Sequence, residues 1–329
     1  MKRKRPDGKD AKQANSYLPQ HDDGLQREKR FRMDIPSQVV VPDTIHGQVN
    51  AIELADTQSG DLLIVSRSCL YRMRSVHDKI ASIVQATLSH LLPPGVIGLI
   101  HAYDDKCMFE TKSVVPAKFQ HGKKTVGGSL SYSSHDQATA LLSHDGYSML
   151  LTRPSQSFES HLFCYWSDVA YHPIWRQWVG VTITNITLAC QADFDSRHLN
   201  TNLIGYSNSA RAIRVDRNGL VWTVDTSATC ISVYPCCQDL AQFSTKNGKH
   251  FHDTGTIMIT EMAPDHKGGV FYISNDTLWH LDASMTLERR RQMVKNIFPY
   301  EWTHLMYDSF RGGLFYVMNH MVYFLALAF

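Results

Sequence analysis

The residues best equipped for chemistry in this sequence form short clusters, and none of them has the spacing of a catalytic signature. The sharpest is Lys2-Arg3-Lys4-Arg5-Pro6, followed by a second basic group at Arg27, Lys29, Arg30 and Arg32. A compact basic run on an extended segment suits the acidic grooves of a nuclear import receptor. It also gives weak, sequence-independent attraction to nucleic acid, and the plainest alternative is a solvated tail without a reader. A second cluster is His250-Phe251-His252-Asp253, in which a strand would put both imidazoles on one face. The adjoining Lys246-Asn247-Gly248-Lys249 marks an exposed loop, so a solvated pair is expected there and a metal is not. The vicinal Cys236-Cys237 pair after Pro235 reads as a connector. There are 17 histidines, yet none falls in a His-x-x-x-His or His-Glu-x-x-His pattern, and the seven cysteines make no Cys-x-x-Cys. A nucleophile elbow, a phosphate loop and a dinucleotide fingerprint are also missing. No catalytic, metal or cofactor residues are therefore expected.

Aspartate recurs with glycine in a way that first suggests a calcium array. The pairs are Asp56 with Gly60, Asp216 with Gly219, Asp265 with Gly268-Gly269, and Asp308 with Gly312-Gly313. Each pair lies between two apolar runs, where a hairpin demands such residues. Asp bonds to its own backbone and Gly supplies a positive φ. Asp56, Gly60, Asp216, Gly219, Gly269 and Gly313 are accordingly read as structural turns.

Those turns punctuate a repeated pattern at Ile52–Met73, Ile213–Tyr234, Ile259–Leu281 and His304–Leu325, with a fifth copy read at Ala138–Tyr165 around Asp145-Gly146. Each copy has an apolar strand, the turn, a second apolar strand such as Leu220-Val221-Trp222-Thr223-Val224, a polar turn and a third strand. Self-similarity at about 40–50 residues marks a radial β-propeller. The expected fold is all-β, with six blades and seven as the alternative. A degraded blade is expected near Gly98-Leu99-Ile100-His101. Val179–Ile183 and Leu203–Tyr206 compete for the gap before Ile213. Apolar residues at helical spacing from Val76 to Leu92, stopped by Pro93-Pro94-Gly95, predict one helix inserted between the first and second blades. The last repeat has three strands, so Val39-Val40-Val41 is expected to supply its fourth and remove the open edges.

Composition divides the chain. Residues 1–32 hold ten Lys/Arg against five Asp/Glu, while the net charge of the whole is only +2. The body is thus nearly neutral, and residues 1–36 read as a disordered basic tail before a propeller over 37–329. An odd cysteine count, no apolar stretch behind the basic run and no long apolar segment point to nucleus or cytoplasm, without secretion or a membrane.

The consensus of apolar strand, Asp, Gly turn, apolar-aromatic-x-Val and closing strand resembles the NHL-type repeat. It is similar more broadly to six-bladed propellers of the SMP-30/gluconolactonase group. Ala212-Ile213-Arg214-Val215-Asp216 with Val221-Trp222-Thr223-Val224-Asp225 carries the likeness best. The NHL resemblance implies a binding platform for proteins or, in some families, RNA. It also implies kinship with adaptors whose repeats precede a BTB domain linking targets to ubiquitin ligases. No such domain is expected here, since the repeats run to Phe329. The SMP-30 resemblance implies an alternative, a metal-dependent lactonase-like hydrolase, for which Glu53, Asn208, Asp225 and Asn275 are the nearest set by residue type. The leading expectation is a non-enzymatic scaffold for protein–protein interaction without a cofactor, its tail open to an import receptor. Its specificity is expected in insertions around 104–137, 153–161 and 166–200.

Overall fold

The computed structural model of the protein describes residues 37–38, 45, 49–56, 61–66, 69–76, 86–87, 90–91, 109–119, 126–182, 186–206, 210–235, 244, 247–252, 258–295 and 302–327. The chain divides into residues 1–32 and 33–329, and the ring lies in the second unit. It is a six-bladed β-propeller built from six four-stranded antiparallel sheets.

Blade one comprises β2 (Val49–Asp56), β3 (Asp61–Ser66), β4 (Cys69–Ser75) and β5 (Phe109–Pro116). Blade two has β6 (Val126–Ser133), β7 (Ala138–Ser143), β8 (Ser148–Arg153) and β9 (Gln156–His161). Blade three has β10 (Asp168–His172), β11 (Gln177–Val181), β12 (Ile186–Asp193) and β13 (His198–Tyr206). Blade four has β14 (Ala210–Val215), β15 (Val221–Asp225), β16 (Cys230–Tyr234) and β17 (Lys249–His252). Blade five has β18 (Ile259–Pro264), β19 (Val270–Ser274), β20 (Thr277–Leu281) and β21 (Arg290–Lys295). Blade six has β22 (Trp302–Asp308), β23 (Gly313–Met318) and β24 (Met321–Ala326), completed on its outer edge by β1 (Ser37–Gln38). The first strands of successive blades pack on one another around the axis.

The second strands are buried along almost their whole length, because each is covered by a neighbouring blade on both faces. This is why Leu62-Leu63-Ile64-Val65 and Val270-Phe271-Tyr272-Ile273 read as unbroken apolar runs instead of alternating ones. Apolar side chains gather into six clusters, one for each seam between blades. Trp222, Val224 and Ile231 meet Met262, Tyr272 and Leu281 between blades four and five. Ile52, Ile64 and Met73 meet Met306, Phe315 and Phe324 between blades one and six. Each such fully buried side chain contributes about 1.5–3 kcal/mol of transfer free energy.

Several sequence expectations shift. The ring closes by pairing Ser37 with Phe324 and Gln38 with Tyr323, so the closing strand lies two residues ahead of the expected Val39-Val40-Val41, itself outside the described residues. The Gly98–His101 stretch is also outside them. No blade is needed there, because the extra length falls inside blade one, between Ser75 and Phe109. The stretch 76–92, expected as a helix between blades, falls within this third-to-fourth-strand connection and lies largely outside the described residues. Of that stretch Ala86 and Thr87 have helical backbone, and a 3-10 turn lies at Leu287–Arg289 in blade five. Val179 and Leu203 are not rivals, since they sit in β11 and β13 of the same blade. Of the stretches expected as insertions, 153–161 and 166–200 are mostly regular strand, and 104–137 holds β5 and β6, with 104–108 and 120–125 outside the described residues. Finally, Asp145-Gly146 joins the second and third strands of blade two, whereas the other Asp–Gly turns join first to second.

Candidate functional site at the ring axis

Six short strands converging on an axis leave a channel, and whatever they point at it becomes a site. Five of the six inner strands, all but β10, carry a register shift near their start, as between Ile259 and Glu261 or Thr303 and Met306. A bulge re-aims the following side chains. Here it brings charged residues from otherwise apolar strands together on the axis.

Arg214 of β14 is the hub. Its Nη1 donates to Asp168 Oδ2 at 2.6 Å, and its Nη2 lies 3.7 Å from Glu261 Oε2. Asp168 also accepts from the Ile213 and Val169 amides at 2.9 Å and from the Ser129 hydroxyl. Glu53 from blade one and His304 from blade six complete the group, with His304 bonded to the Asn50 backbone. All six blades therefore contribute to one polar cluster.

Burial governs its protonation. It raises the Glu53 carboxyl to about 7 against the opposing pull of Arg214 and the Leu54 amide, with Asp168 adding to the rise. Burial likewise raises Glu261, although Arg214 opposes it. His304 is held down at about 4 by burial and by the Arg214 charge, so its imidazole is neutral at physiological pH. Burial works against the Arg214 cation too, but Asp168, Glu261 and Glu53 outweigh it and keep the guanidinium charged.

Above this cluster, at the end where inner strands turn outward, lies a cavity of about 390 Å³. Glu53 and Arg214 reach it from the axis. Leu54, Leu130, Val169 and Met306 form apolar walls, with Tyr132, Tyr171 and Tyr307 alongside. Asp216, Arg217 and His266 line it from the turns. The lining is mixed, with charged and hydroxyl groups interleaved among the apolar walls. His266 is held near 4, by burial and then by Arg217, so it too is neutral.

The turns that hold this end follow one rule. Asp216 Oδ1 accepts from the Asn218 and Leu220 amides, Asp265 Oδ1 from Lys267 and Gly269, and Asp308 Oδ1 from Phe310 and Arg311. Gly219 takes φ 77°. Gly269 and Gly313 do not need the left-handed region, which belongs to Gly268 (φ 94°) and Gly312 (φ 67°). Gly313 is instead required by close approach: a Cβ there would lie 2.3 Å from Phe324 and 2.5 Å from the Leu325 carbonyl. Asp56 ends β2, and Gly60 lies outside the described residues.

The set implied by the lactonase-like resemblance is not brought together. Glu53 lines the cavity, but Asp225 is engaged by the Thr229 and Cys230 amides in a second-to-third-strand turn. Asn275 sits in the matching turn of blade five at φ 61°, and Asn208 is outside the described residues. His250 and His252 lie on outer strand β17 beside Ser232 and Cys230. Among the described residues no three His, Cys, Asp or Glu side chains are grouped to hold a metal. Lys2, Arg3, Lys4, Arg5 and the Cys236-Cys237 pair are outside them. Sequence reasoning missed Asp168, Arg214, Glu261 and His304. The available signal was a lone charge between apolar neighbours in a first strand, as in Ile52-Glu53-Leu54 and Ile213-Arg214-Val215.

No protein-family model matches the chain, and no curated relative matches it by sequence. Solved structures do match in shape. The β-propeller domain of Cps50 (Swd1) from Myceliophteria thermophila aligns with TM-score 0.52 at 10% identity, covering 89% of this chain and 100% of that one. Virginiamycin B lyase from Staphylococcus aureus aligns with TM-score 0.52 at 9% identity, covering 89% and 99%. A streptogramin B lyase aligns with TM-score 0.51 at 8% identity, covering 84% and 78%. The likeness is one of fold. At such identities a propeller carries no activity from one chain to another, and the NHL-type membership implied by the repeats finds no matching family model.

Proposed function

We propose that this protein is a non-enzymatic propeller that binds protein partners through the end of the ring where the axial cavity opens. The observation that carries the reading is how the axial charges are spent. Arg214 donates to Asp168 and faces Glu261 at 3.7 Å, and the Val169 and Ile213 amides and the Ser129 hydroxyl take up the other acceptor positions of Asp168. That arrangement ties blades two to five together and engages these charges in holding the ring. Strand alternation places the first-to-second and third-to-fourth connections at the cavity end. Exposed Ile174 and Phe310 stand there, 44% and 48% accessible, on a rigid scaffold of the kind that presents binding loops. The test is capture from nuclear extract by the full chain against an Ile174→Asp/Phe310→Asp double variant of unchanged melting temperature. Partners retained equally by both would contradict the reading.

The basic tail fits this function as a nuclear address. Replacing Lys2, Arg3, Lys4 and Arg5 by Ala in a large fluorescent fusion moves it to the cytoplasm, and continued nuclear accumulation would refute that role. No described helix is long and apolar enough to cross a membrane. An adaptor role in ubiquitin ligation belongs to the same proposal and rests on the repeat resemblance alone.

A further inference from the structure

The outer rim of blade four carries a group of donor atoms that neither the axial cluster nor the cavity uses. β16 and β17 run antiparallel with Cys230 opposite His252 and Ser232 opposite His250. Strand alternation puts these four side chains on one face, shared with Tyr234, which packs toward blade three. Phe251, between the two histidines, points the other way into the seam with blade five. On the shared face the donors form a chain. Cys230 Sγ is 3.8 Å from His252 Nε2 and 3.7 Å from Ser232 Oγ, and Ser232 Oγ is 2.8 Å from His250 Nδ1.

These spacings have a chemical meaning. A tetrahedral zinc ion holds a thiolate at about 2.3 Å and an imidazole at about 2.0–2.1 Å, which sets its sulfur and nitrogen ligands about 3.5 Å apart. Cys230 and His252 already stand near that separation. His250 lies diagonally across from Cys230 and two residues from His252, within the reach of an aromatic side chain across a strand pair. Its ring is turned to Ser232, so the three donors do not yet converge. Both imidazoles are exposed, so His250 is able to turn without unpacking the blade, and an ion has a path from solvent. Cys230 and Ser232, 5% and 4% exposed, form a fixed floor beneath them.

The surroundings favour a cation. Asp225 Oδ1 accepts from the Thr229 and Cys230 amides, which anchors the start of β16 and sets a carboxylate near the thiol. Lys249, the other charged residue of β17, faces away and donates to the Ala283 carbonyl of blade five. Burial raises the Cys230 thiol, Ser232 opposing and Asp225 adding to the rise. The sulfur therefore keeps its proton until an ion displaces it to solvent as the metal–sulfur bond forms.

We infer that Cys230, His250 and His252 bind one zinc-like divalent ion on the rim of blade four, with water in the fourth position. One thiolate and two imidazoles suit that class of ion and not calcium or magnesium. The ion clamps β17, an outer strand of four residues, onto β16.

The test titrates cobalt(II), a spectroscopic stand-in for zinc, into the full-length chain carrying Cys236→Ser and Cys237→Ser to remove the neighbouring thiols. The expected result is one equivalent bound, with a thiolate-to-cobalt charge-transfer band and the intense visible bands of tetrahedral cobalt, all bleached by zinc. Cys230→Ser removes the charge-transfer band. His250→Gln and His252→Gln each weaken binding by about tenfold or more, since disturbing even the outer partners of a ligand costs that much. Matching melting temperatures without added metal show that the variants are folded. The exposed His252 keeps the test open should Cys230→Ser disturb the seam. Absence of a thiolate band at millimolar cobalt would overturn the inference. So would a band that survives in folded Cys230→Ser, or undiminished affinity in either histidine variant.

Discussion

At the scale of the residue, Glu53 gives the clearest consequence. Its carboxyl stands near 7 in the fold against an ordinary value of 4.5. The folded chain therefore holds this proton more tightly than the unfolded chain does. Stability from this group is greatest below the ordinary value and is lost as pH rises through 7. Glu53→Gln removes the titration while keeping the shape. The difference in melting temperature, variant minus wild type, should be near zero at low pH and climb between about pH 5 and 8, by an amount equivalent to roughly 1–3 kcal/mol. His304 and His266 are depressed groups whose effect has the opposite sign, but it is common to both proteins and cancels in the difference. A flat difference across that window would place Glu53 in ordinary solvent.

At the scale of the element, the turns explain both what could be read in the sequence and what could not. Blades one, four, five and six were legible because an Asp and a Gly mark the turn after the first strand. Blade three was left between two competing strands and blade two read out of register for a local reason. In their corresponding turns the left-handed position is occupied by Gln137 (φ 50°) and Arg176 (φ 55°), so no glycine announces it. Asp145-Gly146 then supplied a false landmark one turn later. The axial cluster stayed hidden because its members lie far apart in sequence and only the closed ring brings them together. The same geometry corrects the reason why Gly313 matters. Gly313→Val should destabilise by about 1–3 kcal/mol through overpacking against Phe324 and the Leu325 carbonyl, not through a forbidden φ. Thermal unfolding decides it, and Gly313→Ala should be harmful for the same reason. An unchanged melting temperature for the alanine variant would mean that Phe324 yields without cost.

At the scale of the whole molecule, closure and recognition are the two properties of the ring. Closure rests on Ser37–Gln38 against β24. Deleting residues 1–36 should leave stability unchanged, whereas deleting 1–43 removes the outer strand of blade six and exposes its edge to aggregation. Equal solubility and melting temperature for the two truncations would contradict that pairing. Recognition rests on the cavity end of the ring, and hydrogen exchange on the complex with a captured partner tests it most directly. The account predicts new protection in the turns at 172–177, 215–220, 264–269 and 308–313, which surround the cavity. Protection confined to the opposite turns at 143–148, 225–230 and 274–277, with the cavity end unchanged, would contradict it.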